Sequence, residues 1–222
     1  TIKRIGMNNP QVYGNVICQV PAPKLVDDGF ILPPKVKLKQ FDIIEDRQQI
    51  PERDSEHLIA TIDDNNINKS LICARSTKQI VRLFSDSPFA TDLWDRGYSW
   101  MYITAKTGAV IDGRKVDRET FFNTLNEWGK TDKKFVVVHH SILSEGINVK
   151  GLEAVLFMRS MDYITISQSI GRVIRLGDSN KKFGLVCIPV YDKVGITTSR
   201  KVQAVVDTVF QKGEPAISYM NT

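Results

Sequence analysis

The sequence has few cysteines, and none in a paired spacing. Cys18, Cys73 and Cys187 lie far apart, form no CxxC, and leave one thiol over in any disulfide scheme. That excludes a disulfide-stapled secreted domain and points to a reducing compartment with free core thiols. His139-His140 has no nearby Cys or carboxylate pattern, which argues against a metal site. No apolar run approaches the roughly 20 residues that a membrane span needs. The chain opens Thr1-Ile2-Lys3-Arg4, with no initiating Met and no apolar signal region after these charges. A fragment of a longer intracellular protein is expected, cytoplasmic, with a nucleoid or nuclear setting left open. There is no internal repeat and no low-complexity tract.

What is present suits a packed fold. The 222 residues fit one large α/β domain, or one domain with an added segment. Apolar residues make up 42%, enough for a core and too many for disorder. The net charge of +5 permits a polyanion partner without requiring one.

Residues 1–53 read as a partly irregular lead-in. "VYGNVICQVP" alternates like a short strand. "APKLVDDGFILPP" reads as a turn of helix with a stop at Gly29. "KVKLKQFDII", 35–44, fits an edge strand. "EDRQQIPERD" is charged and broken by Pro51, so a loop is expected. The main domain then runs over 54–222. It opens on a helix, 54–65, with Ser55 as N-cap. From residue 69, short apolar strands alternate with helices: "SLICAR", "SWMYITA", "KFVVVHH", "AVLFMR" and "FGLVCIPVY" as strands, "STKQIVRLFSD", "DRETFFNTLNEWG", "DYITISQSIGRVIRL" and "TSRKVQAVVDTVFQKG" as helices. This is the pattern of a parallel sheet covered by helices on both faces, with functional loops at strand C-terminal ends.

Three stretches can carry chemistry. In "CARSTKQ", Arg75 leaves a strand and Ser76 or Thr77 opens a helix, which is a ready phosphate site or a plain N-cap beside a solvated Arg. "HHSILSEGINVKGLE", 139–153, is a polar loop between two apolar strands. Its Gly146 and Gly151 allow close backbone approach or positive φ. In "QSIGRVIR", 168–175, Arg172 and Arg175 stand three apart, with Gln168 one turn behind. On a helix all three share a face. Two guanidinium groups and an amide aimed at one place favour an anion such as a polyphosphate. A solvated surface face is the other reading, and the residues alone leave both open.

The order of these stretches resembles superfamily 2 helicases and translocases. "QSIGRVIR" is similar to their motif VI, QxxGRxxR. "SILSEGINVKGLEAVLF" is similar to motif V, and "SLICARSTKQIVRLF" to motif IV. "VYGNVICQVPAPKLVDDGFILPPKVKL" resembles the segment by which restriction-enzyme and repair members enter their second lobe. The resemblance implies a C-terminal RecA-like lobe. No GxxxxGK(S/T) loop and no DExH or DEAD stretch is present. In the family these lie in the first lobe, so this chain alone is expected to be inactive.

The resemblance further implies ATP and Mg²⁺ in the full-length protein, bound mainly by that N-terminal lobe. Arg172 and Arg175 would reach across as arginine fingers, and Gln168 would bond the γ-phosphate or attacking water. Gly171 would let the helix start close to the partner lobe. Gly146 and Asn148 of motif V would face the nucleotide. Many members have Asp where Asn148 stands. Arg75, Ser76, Thr77, Ser141 and Glu145 would contact nucleic acid, with DNA favoured over RNA. The alternative is a non-catalytic RecA-like nucleic-acid-binding module. No membrane partner is implied. Removing either arginine is expected to leave stability unchanged, because Ile170, Val173 and Ile174 anchor the helix.

Overall fold

The computed structural model describes residues 11, 14–15, 17–40, 49–140, 149, 151–158, 162–175, 183–190 and 193–213. It begins with α1 (Ala22–Asp27), β1 (Pro34–Gln40), α2 (Ile50–Asp64) and β2 (Lys69–Cys73). Next come α3 (Thr77–Ser85), α4 (Phe89–Asp95), β3 (Ser99–Thr104), β4 (Gly108–Ile111) and β5 (Arg114–Val116). Then follow α5 (Arg118–Gly129), β6 (Phe135–His139), β7 (Ala154–Phe157) and α6 (Tyr163–Val173). Last are β8 (Gly184–Val190), α7 (Lys193–Val205) and a π-helical turn over Val206–Gln211.

The strands form one sheet in the order β1-β8-β7-β2-β6-β3-β4-β5. Neighbours from β1 to β3 run parallel, and the β3–β4 and β4–β5 pairs are antiparallel. The expected α/β parallel sheet is therefore the observed core, extended at one end by a hairpin. The central strands are largely apolar because both faces are buried. Leu71, Val137, Val155 and Val186 point to one face, with Phe121, Leu125, Ile166, Ile170, Val202 and Val205 packed on them. Ile72, Val136, Val138 and Leu156 point to the other, under Leu58, Ile62, Ile80, Leu83, Phe89 and Leu93. So α5, α6 and α7 cover one face, and α2, α3 and α4 the other.

Several boundaries move. β1 is an edge strand as expected. Ile17–Val20 belong to no strand, and Ile17 is fully exposed, so the alternation in that stretch finds no partner. α2 begins at Ile50, with Pro51 in its first turn. A proline is tolerated there because its missing N–H would have no intrahelical acceptor. Pro51 therefore opens the helix and does not break it, and Ser55 is a buried interior residue, not the N-cap. The sequence reading also left out α4 and the β4–β5 hairpin. Gly29 does end α1, at φ 75°. Of the thiols, Cys73 and Cys187 are buried, but Cys18 is exposed and not in the core. Burial pushes the Cys187 thiol up to about 12, against the pull of Lys37, so it is no thiolate nucleophile.

Among the described residues no helix is long and apolar enough to cross a membrane. No three His, Cys, Asp or Glu side chains converge there as metal ligands.

His57 lies buried on α2. Burial holds its pKa down at about 4, from 6.5, helped by the charges of Arg53 and Lys39. Its folded value is depressed, so the unfolded chain binds more protons between those two values. The His57 contribution to stability is constant above about pH 6.5 and is lost as pH drops toward 4. We expect Tm to fall by roughly 5 °C across that window, and His57→Gln to flatten the fall. Identical profiles for both proteins in thermal melts would contradict this.

Candidate functional site

Strands β2, β6 and β7 end level with one another. Cys73 stands opposite both His139 and Phe157 in register. The segments after β2, after β6 and before α6 therefore leave from one edge of the sheet. Cys73 Sγ lies 3.3 Å from His139 Nε2, and both residues are buried. The Ala74 N–H donates to the His139 carbonyl at 2.8 Å, and the Met158 N–H to the Cys73 carbonyl at 3.0 Å. This edge is stitched together before any loop begins.

Arg75, Ser76 and Thr77 follow directly. Ser76 is the N-cap of α3: its Oγ accepts from the Gln79 N–H at 3.1 Å. That resolves the choice between Ser76 and Thr77, which is the first helical residue. The Gln79 side chain accepts from the Arg75 N–H at 2.7 Å and donates to Asp54 of α2 at 2.6 Å. Sequence reasoning gave Gln79 and Asp54 no role. The signal was present for Gln79: Ser76-Thr77-Lys78-Gln79 is an S-x-x-Q capping box. Here Gln79 reaches one residue further back than the usual box, past the N-cap to Arg75. Nothing in the sequence pointed to Asp54, which arrives from another helix.

The motif VI stretch is arranged differently from the expectation. α6 is capped by Asp162, whose carboxylate accepts from the Thr165 N–H at 2.9 Å. Desolvation pushes the Asp162 carboxyl up, but hydrogen bonds from the Thr165 hydroxyl and N–H outweigh it and hold the group below the usual range. The helix ends at Val173, so Arg175 is not helical. It forms an antiparallel bridge with Ile31, and the Leu32 N–H donates to the Ile174 carbonyl at 2.7 Å. A Cβ at Gly184 would meet the Val173 carbonyl oxygen at 2.7 Å, so the start of β8 seats against the same helix end. The helix stops where the lead-in segment and β8 close over it.

As a result the two arginines diverge. Gln168 and Arg175 are exposed, on the outward side with Ile164 and the half-buried Gly171. A Cβ at Gly171 would meet nothing within 4 Å. Gly171 sits in the last turn of the helix, not at its start. Arg172 points into the protein, 8% exposed. Burial and the like charge of Arg175 lower its pKa, and Cys73 pulls the other way. Burial sets Arg172 apart from Arg175, and we expect its removal to cost stability.

The structure thus brings Arg75, Ser76 and Thr77 together at the C-terminal strand edge. It leaves Gln168 exposed and Gly171 half-buried on α6, and Arg175 exposed just past the helix end, where it bridges Ile31 ahead of β1. It does not merge the two groups. Ser141, Glu145, Gly146 and Asn148 lie outside the described residues. Of the glycines in that loop, Gly151 has φ 76°, and a Cβ there would strike the Gly129 carbonyl oxygen.

No family model and no curated relative matches the sequence. Solved structures do match in fold. One is the ATP-dependent type ISP restriction-modification enzyme LlaBIII bound to DNA, with TM-score 0.62 and 15% identity over 94% of this chain and 16% of that one. A second is a fragment of a putative HsdR subunit of a type I restriction enzyme from Vibrio vulnificus. It gives TM-score 0.63 and 14% identity over 90% of this chain and 40% of that one. A third is Dbp5 of S. cerevisiae bound to RNA and ADP BeF3, with TM-score 0.50 and 13% identity over 78% and 39% of the two chains. The chain spans less than half the length of each. At these identities the likeness is one of fold alone: this chain folds as an α/β RecA-like domain.

Proposed function

We propose that the chain is the second motor lobe of an ATP-dependent helicase or translocase. The observation that carries the reading is the placement of the motif VI residues on this fold. Gln168 stands exposed on α6 and Arg175 just past its end, with open space over Gly171. An exposed guanidinium and an exposed amide flanking a glycine with open space above it suit a polyphosphate held by a facing lobe. ATP and Mg²⁺ would supply the transferable phosphoryl group and its charge neutralisation. Arg175 would neutralise phosphate charge, Gln168 would bond a phosphate oxygen or water, and Gly171 would admit the partner surface. Arg172 would hold the helix end in place and add positive potential behind Arg175. Gly146 and Asn148 are proposed on the nucleotide side.

Arg75, Ser76 and Thr77, with Ser141 and Glu145, are proposed as the nucleic-acid contact. Phosphates are bound there without sequence preference. DNA is favoured, because the two structural neighbours with the higher TM-scores are restriction enzymes. Residues 1–53 are proposed as the segment leading into the lobe and 54–222 as the lobe. The buried setting of Arg172 favours one element of the alternative, a binding module in which that arginine is structural.

The 222-residue chain by itself has no phosphate loop and no acidic motif. We expect no nucleic-acid-stimulated ATP hydrolysis from it, and weak oligonucleotide binding that falls steeply with salt. Stimulated turnover by this purified chain, or binding indifferent to salt, would overturn the assignment.

A further inference from the structure

We propose that Asp54 and Gln79 form a positioning pair that fixes Arg75 for contact with a nucleic-acid phosphate. The proposal rests on the reading of Arg75, Ser76 and Thr77 as a backbone contact. Three groups of Gln79 are committed, two to the short loop before α3 and one to α2. Its backbone N–H donates to Ser76 Oγ, its Oε1 accepts from the Arg75 N–H, and its Nε2 donates to Asp54 Oδ2. A carboxylate only accepts, so Asp54 dictates which way the amide faces. With the NH₂ turned to Asp54, the oxygen is turned to Arg75.

Capping α3 does not call for this arrangement. Ser76 already satisfies the N–H that a cap must satisfy. A capping-box Gln would return to the N-cap N–H, whereas Gln79 takes the N–H of the residue before it. Asp54 is 1% exposed, and burying a carboxylate is costly in free energy. The bond to Gln79 helps offset that cost and holds the Arg75 backbone rigid. Residue 74 is tied to the His139 carbonyl on one side, and residue 76 is the helix cap on the other. The half-buried Arg75 side chain then projects from a backbone fixed at every step, so less freedom is lost when it meets a phosphate.

The test is fluorescence anisotropy with the full-length protein and a labelled single-stranded oligonucleotide, in DNA and RNA forms, over a salt series. Melting temperature is measured on every variant. Arg75→Ala and Gln79→Ala should each weaken binding roughly tenfold. Each should reduce the slope of log K against log salt by about one phosphate. The double variant should be no weaker than either single one, since both act through one contact. Gln79→Glu should weaken binding, because two carboxylates then face each other. Adding Asp54→Asn to it should restore affinity: the new amide at 54 donates to the new carboxylate at 79, which still accepts from the Arg75 N–H. Wild-type affinity in Gln79→Ala beside a weakened Arg75→Ala would overturn the positioning role and leave the contact standing. Additive losses, or losses that follow melting temperature and are not relieved by the swap, would overturn it too. Wild-type affinity in Arg75→Ala would remove the contact and the proposal together.

Discussion

In the full-length protein, Arg175→Ala should lower kcat for nucleic-acid-stimulated ATP hydrolysis on the order of 10³-fold, the contribution an arginine finger makes to phosphoryl transfer. The residue is exposed beyond the end of α6 and outside the apolar core. Melting temperature should therefore stay within about 2 °C of wild type. KM for ATP should change much less than kcat, because interactions made chiefly in the transition state appear in kcat. Arg175→Lys should not rescue, since an ammonium does not reproduce the planar fork. Wild-type kcat in Arg175→Ala would remove this residue from the catalytic account.

Arg172 should behave differently, because its side chain is buried. Arg172→Ala should lose turnover and also lower the melting temperature, by about 10 °C, as a large buried side chain is deleted. Arg172→Met separates the two effects. Methionine fills a similar volume and so restores most of the packing that Arg172→Ala removes. The melting temperature should recover most of the loss, while kcat remains at least about 100-fold low because the positive potential is gone. Kinetics and thermal melts on the same preparations decide it. Turnover that recovers with stability in Arg172→Met would make Arg172 a structural residue only.

The strands and most helices were legible because both faces of a parallel sheet are buried. Val136-Val137-Val138 and Ala154-Val155-Leu156-Phe157 have no exposed position to fill with polar residues, so their runs announce themselves. The hairpin Gly108–Val116 was not legible. It sits at the sheet edge, where only Ala109 and Val110 are buried and the signal is two residues deep. Pro51 misled because proline marks both loop and first helical turn, and local sequence does not separate them.

The site was legible as a set of residues and not as an arrangement. A spacing of three implies a shared face only while the helix continues. What ends α6 is tertiary: Leu32 takes the Ile174 carbonyl, and Gly184 lets β8 press on Val173. Both lie far from "QSIGRVIR" in sequence. Arg172 therefore turned inward and Arg175 outward, against their periodicity. Asp54 was illegible for the same reason, since its partner Gln79 stands 25 residues further on.

The central claim is that this lobe belongs to a nucleic-acid-driven ATP motor. Steady-state ATP hydrolysis by the full-length protein, with and without single-stranded DNA or RNA, tests it most directly. The account predicts slow basal turnover that rises at least about tenfold when the nucleic acid is added, with DNA the better activator. Turnover unchanged by either nucleic acid, or absent altogether, would contradict it.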